Sequence, residues 1–573
     1  MATDNHNADN NSTPGHTPGH TPGYTPGNIQ GDARGSMGGV YQAGYGALHP
    51  WPAPMQVSKP ENKFKPDMGD FVFALAAFLL GYLFSSWVFS SLRGWGVAAF
   101  TTLYLLAVTA YMKGKRVFTG GRAAWFWFAV TLVSGLSYAI WDNAGFIAVR
   151  IMFLFCSAVY YVIIASGSAI LGKTGNYLLI DGINAVVILP FRNFINQYVS
   201  FSALRKGNRR GKILPVVLGA VLALILAAIL IPLLRRADSG GFGVILDFFF
   251  DILRFIDVSV VFYAILAVPV AAYLYGLVSG VAFKKGTDLI KHGPTGKVVG
   301  ALRVIPMATV YTVLGAVCAI YLVFILSQVP YFFSAFTGRR PLGWLVYSEY
   351  ARQGFFELCG IASINLMVLT AGNLTGKKHR KDSITLKVFN IALAVITLVL
   401  IAAAFSKMAL YIGAYGLTIP RLLPCLFMVF LAAVYLALIA LQKVEFSIVR
   451  FALVTGSVMI CALCLCNPDA IVVRYNTDRY ISGTLHDFDT DVLYRAKSAG
   501  ILPAIELYEE TGDISLRMEI ASYLRVCKMS YANINGASHT WSIESILARE
   551  RLAGLFLPTE TVVPCSTPAV IPK

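Results

Sequence analysis

The sequence predicts an all-α polytopic membrane protein: about eleven transmembrane helices, a disordered N-terminus ahead of them and a small helical C-terminal domain behind. Three observations predict it. The 573 residues are 56% hydrophobic and 13% charged, with mean hydropathy +0.64, where a soluble chain carries roughly 25% charged residues. Apolar runs near the ~20-residue length that crosses a bilayer recur through the middle of the chain. Lys and Arg cluster in alternate connections between those runs, the pattern that sets orientation.

Residues 1–66 contain four tandem tetrapeptides, TPGH, TPGH, TPGY and TPGN, from Thr13 to Asn28. Proline and glycine at this density do not build a core, so disorder is expected. His16 and His20 read as incidental histidines of a flexible tail rather than metal ligands. No early apolar core precedes residue 70, so no cleavable signal peptide is expected. Spans follow near 70–91, 96–112, 123–141, 146–168, 213–234, 258–282, 304–328, 354–373, 385–406, 421–441 and 449–466, making 67–466 a transmembrane bundle. Two segments read as interfacial. Residues 176–201 are apolar but carry Asp181, Pro190 and Arg192. Residues 242–257 set Asp247, Asp251 and Arg254 on one face of an otherwise Phe/Ile/Leu helix. The tail, 467–573, reads as short amphipathic helices within 489–499, 501–512, 513–528 and 541–555, with Asp513 as an N-cap and Pro503 in a first turn.

The net charge of +17 is spread in short clusters between apolar runs, which argues against nucleic-acid binding. Even-numbered connections hold 23 Lys and Arg and odd-numbered ones hold 9. This assigns the N-terminus to the cytoplasm. With eleven spans the tail falls outside.

Several motifs have plainer readings than their chemistry suggests. GSAILGKT (167–174) matches a phosphate-binding loop, but that loop needs a strand before it, and here an apolar helix precedes. Gly172 reads as a helix stop. In CALCLC (461–466), Cys461 and Cys464 share a helix face while Cys466 does not, so the thiols read as packing residues. HDFDTD (486–491) opens like a calcium loop, but Val492 and Ser498 stand where the loop needs Gly and Glu; the carboxylates read as helix caps. GLVSG (276–280) reads as a small-residue helix contact within the bundle. No metal site and no cofactor is expected.

Ionisable groups at membrane depth point to function. Arg352 and Glu357 flank the entry to the eighth span and Arg150 lies within the fourth. Arg421, at the outer end of the tenth, is a candidate partner for Glu357. With Tyr415 these make the candidate binding set Arg352, Glu357, Tyr415 and Arg421. Arg474, Asn476, Arg479 and Tyr480, just after the last span, make a candidate interaction face.

YSEYARQGFFELCGIASIN (347–365), YIGAYGLTIPR (411–421) and NPDAIVVRYNTDRY (467–480) resemble, in order and spacing, a bacterial multi-pass membrane family known as domain of unknown function 4153/4173. The resemblance covers roughly 210–573. It implies a membrane protein and supplies no catalytic residues. The first expectation is a non-enzymatic envelope protein of the cell membrane, sensing or scaffolding, with the bilayer and an envelope protein or small-molecule ligand as partners. A small-molecule or ion transporter with an outer-face path near Arg352, Glu357 and Arg421 is the alternative. An enzyme acting on a lipid-linked substrate is the third.

Overall fold

The computed structural model describes Phe64 and residues 66–170, 174–175, 177–202, 258–283, 302–336, 347–378, 380–532 and 538–557, with five isolated helical positions between 219 and 234. The TPG-repeat segment, most of the expected span at 213–234 and the expected amphipathic helix at 242–257 lie outside the described residues.

Asp67 starts the first helix because its side chain and that of Asp70 cap each other's backbone N–H groups, satisfying donors a helix start leaves open. From there α1 (Met68–Leu83) runs on through a π-helical stretch, Phe84–Phe89. Then come α2 (Trp95–Gly114), α3 (Arg122–Ile140), α4 (Ile147–Ala165) and, later in the chain, α8 (Val258–Ala282). These five helices share one apolar core. Close approach is set by small residues: a Cβ on Gly81 of α1 would collide with the Ala267 carbonyl and Ala271 of α8. Without a hydrophobic drive between helices in lipid, such packing is what holds them. The Lys115 ammonium bridges Asp67 and the fully buried Asp70, both at 2.8 Å, and so ties the end of α2 to the start of α1.

Residues 178–202 form a broken helix, α5 (Leu178–Ile183), α6 (Leu189–Arg192) and α7 (Asn196–Ser202), with a π-helical stretch at Asn184–Ile188. Its inner face packs on α1 and α8, with Gln197 Nε2 donating to the Ala74 carbonyl at 3.0 Å and Gly276 and Gly280 lying against Pro190 and Asn193. GLVSG is thus a contact within the bundle. Its outer face, Leu179, Ile183, Val187, Phe191 and Ile195 at four-residue spacing, is exposed.

A second core joins α9 (Met307–Phe336), α10 (Tyr347–Thr375), α11 (Ile384–Tyr415) and α12 (Ile419–Ala440). Polar clasps run through it. Asn373 and Asn390 exchange amide bonds at 3.0 Å. Asn365 accepts from Tyr321 at 2.8 Å and donates to Thr397 at 3.0 Å. Ser383, which bonds Tyr311, Asn390 and Thr397 recur every seven residues along one side of α11. α13 (Ile448–Cys466) lies beside α12 and sets Leu453 and Cys461 against the first core.

Ten described helices are long and apolar enough to cross a membrane, and each coincides with a span read from the sequence. The eleventh, at 213–234, lies almost wholly outside the described residues. Phe201 of α7 meets Phe71 near the start of α1. Phe283, just past α8, meets Phe64 and Lys115. Ser202 and Ala282 therefore lie at the Asp67 end of the bundle and Val258 at the other.

The tail builds α14 (Pro468–Ile481), α15 (Asp491–Ala496), α16 (Ser498–Glu510), α17 (Ile514–Ala532) and α18 (Ile543–Gly554) around its own core. α14 is an addition to the sequence reading. Asp513 caps α17 as expected, accepting from Ser515 N at 2.8 Å. Pro503 lies inside α16 rather than in its first turn, because that helix already starts at Ser498.

An acidic junction as candidate functional site

The C-terminal domain docks on the ends of the membrane helices through buried polar groups. The loop between α3 and α4 comes first. Trp141 Nε1 donates to the Leu465 carbonyl at 2.8 Å and Asn143 Nδ2 to the Cys464 carbonyl at 3.3 Å, engaging acceptors that the end of α13 leaves open. Asn143 and Asn467 both adopt left-handed backbone, with φ 43° and 49°, which Asn tolerates better than most residues. Asn467 turns the chain from α13 into α14 and caps α14 through Ala470 N at 3.2 Å.

Three carboxylates then meet. Asp469 Oδ2 accepts from Gly145 N at 2.8 Å; a side chain at Gly145 would strike this carboxylate. Glu544 of α18 accepts from Asp142 N at 3.0 Å and from the Asn467 side-chain amide. Asp142 Oδ2 accepts from the Ser498 hydroxyl at 3.1 Å. Asp142 and Asp469 are 7% and 2% exposed. The cations facing the group are Arg150 and, at the rim, Arg93, 4.0 Å from Asp142. Arg150 is fully buried; its guanidinium donates to the Asp142 carbonyl at 2.8 Å and to Ser137 at 3.2 Å, and stacks on Tyr138 at 3.8 Å. Burial pushes Asp469 up to about 6; the charges of Glu544 and Asp142 add to this while the Gly145 N–H and Arg150 oppose it. Burial likewise raises Glu544, helped by Asp142. Tyr531, on the domain side, is pushed up to about 12, first by burial and then by Asp142. Among the described residues no group of three or more His, Cys, Asp or Glu side chains is arranged to hold a metal ion.

Further contacts complete the dock. Trp95 N donates to the Trp541 carbonyl at 2.9 Å. Asn476 pairs with both backbone groups of Leu417, each at 2.7 Å. Arg479 donates to the Ile412 carbonyl at 3.2 Å. Asn476 and Arg479, expected on an interaction face, are thus engaged with the chain itself. Arg474 stays exposed, 3.8 Å from Asp478, and Tyr480 packs edge-on against Phe488. Of the candidate binding set, the side chain of Arg352 lies outside the described residues. Glu357 is exposed and within electrostatic reach of Lys407. Arg421 does not take the expected role opposite Glu357: it donates to the Tyr415 and Gly416 carbonyls and stacks on Tyr411 at 4.2 Å, since the turn at Gly416, φ 76°, presents those carbonyls to it. The structure therefore brings Tyr415 and Arg421 together and sets Glu357 with another group. Cys461 bonds the Val130 carbonyl while Cys466 is exposed, so the three thiols do not converge.

The residues sequence reasoning missed are Asp142, Ser498 and Glu544. Arg150 and the Asn-Pro-Asp start of the third motif were its available signals.

This architecture defines a class: polytopic helical membrane proteins with a helical domain docked on one end of the bundle. The model of the family described as Domain of unknown function (DUF4153) matches residues 128–508, well over half of the chain, and the chain belongs to that family. The match begins in α3, earlier than the expected 210, and ends in α16. No curated protein and no solved structure matches the chain.

Proposed function

We propose that the chain is a non-enzymatic sensing or scaffolding protein of a bacterial cell membrane. In this reading its N-terminus is cytoplasmic, its C-terminal domain faces outward, and the acidic junction couples that domain to the membrane helices. The observation that carries it is the convergence of Asp142, Asp469 and Glu544, from three separate segments, in one place, the two aspartates buried and Glu544 half-buried. Such a junction tightens or loosens with proton activity on its side of the membrane, or with a ligand that pulls on the domain.

The side is supported by charge. The domain packs against the connections at 90–94, 141–146 and 416–418, which carry Arg93 as their only Lys or Arg. The opposite end holds Lys115 against Asp67 and Lys381 against Glu445. Cytoplasmic loops carry the Lys/Arg excess. The test is a Ser530→Cys variant in a cysteine-free background, labelled in intact cells with a membrane-impermeant maleimide. Labelling without lysis is expected; labelling only after lysis would put the domain in the cytoplasm and refute the reading.

A transport reading draws on Glu357 and Lys407, charges held within α10 and α11 on the domain side of the second bundle. It requires Glu357→Gln to abolish solute uptake by proteoliposomes while domain docking is unchanged. Uptake equal to that of the parent would remove it.

A further inference from the structure

A cavity of about 480 Å³ opens within the first bundle, and none of the carboxylates of the acidic junction lines it. Its walls include Phe84 and Val88 of the π-helical stretch, Phe100 of α2, Leu154 of α4, Val270 of α8 and Phe194 of the broken helix. The fold explains why it exists. α1 and α8 are pressed together where Gly81 meets Ala267 and Ala271. Past that contact α1 widens into the π-helical stretch Phe84–Phe89, and Pro269 of α8 lies within the contact, between Ala267 and Ala271. π-helical insertions are rare and frequently mark functional sites.

Every hydroxyl on the wall is spent on backbone. Thr101 donates to the Val97 carbonyl at 2.8 Å, Tyr104 to Ala158 at 3.2 Å and Tyr273 to Val186 at 3.0 Å. No side-chain donor is left to direct inward, so a polar occupant would lose its own hydrogen bonds on entry. Most of the wall belongs to four membrane-crossing helices, and two lining residues, Phe155 of α4 and Phe191 of the broken helix, are also exposed on the outer surface of the bundle. The volume lies within the roughly 300–1,000 Å³ of ligand sites. We propose that the cavity is a binding site for one hydrocarbon chain of a membrane lipid, entering from the bilayer past Phe155 and Phe191. The chain supplies the dispersion contacts that an empty apolar cavity forfeits.

The test uses the full-length protein in nanodiscs containing phosphatidylcholine with a diazirine midway along one acyl chain. After illumination, adducts are mapped by peptide mass spectrometry. Adducts are expected on the segments around Phe84, Phe100 and Leu154. They should fall at least tenfold in Ala158→Phe and in Val270→Phe, which fill the cavity from different helices. Labelling of the lipid-facing Val323 and Met367, both 68% exposed, should be unchanged. If one variant fails to fold, the other carries the comparison. Absence of adducts on the cavity walls of the parent protein, or equal labelling of parent and filled variant, overturns the proposal.

Discussion

Asp469 carries the clearest consequence at the scale of single residues. A carboxyl raised from 3.8 to about 6 by burial binds its proton more tightly in the folded protein than in the unfolded chain. The stability this contributes is complete below pH 3.8 and is lost as pH rises through about 6. The difference is on the order of 3 kcal/mol, and Glu544 acts in the same direction. Asp469→Asn keeps an acceptor for the Gly145 N–H without a charge to bury. Its melting temperature at pH 7.5 is expected to exceed that of the parent, and its decline between pH 5 and 7.5 to be shallower. Parallel melting profiles would show that this carboxyl is not the titrating group. Asn476 acts by geometry instead. Asn476→Ala leaves the buried N–H and C=O of Leu417 without partners, about 1–3 kcal/mol for each, whereas Arg474→Ala removes an exposed pair worth about 0–1 kcal/mol. Thermal unfolding should separate the two; equal losses would contradict the docking role of Asn476.

Elements were legible in proportion to how much of their pattern is local. Each described membrane helix coincides with an apolar run, because crossing a bilayer demands a continuous stretch whatever its neighbours do. Their ends were less legible. α11 runs on to Tyr415, well past the expected 406, because Lys407 interrupts the hydropathy without interrupting the helix. α14 escaped notice because its surroundings are mixed: Asp469, Val472, Val473 and Asn476 are buried while Ile471, Arg474 and Tyr475 are exposed, so no apolar stripe marks it. The polar clasps of the second bundle leave only isolated Asn and Thr residues in apolar runs, and their pairing across helices appears in three dimensions alone.

For the whole molecule, the C-terminal domain is built onto both groups of membrane helices. It bonds the first at Trp95, Asp142 and Gly145 and the second at Ile412 and Leu417. Two of the three motifs behind the family resemblance meet there, since Tyr411–Arg421 is gripped by Asn476 and Arg479. The site as a whole was not legible, because its carboxylates come from positions 142, 469 and 544 and only folding assembles them. In the proposed reading, protonation of the acidic junction closes this dock. Hydrogen–deuterium exchange of α14 and α18 in the full-length protein, at pH 5 and pH 7.5 and corrected for intrinsic rates, tests it most directly. Slower corrected exchange at pH 5 is expected in the parent, with a smaller difference in Asp469→Asn, where Glu544 alone remains to titrate. Exchange in the parent that is indifferent to pH, or slower at pH 7.5, would contradict it.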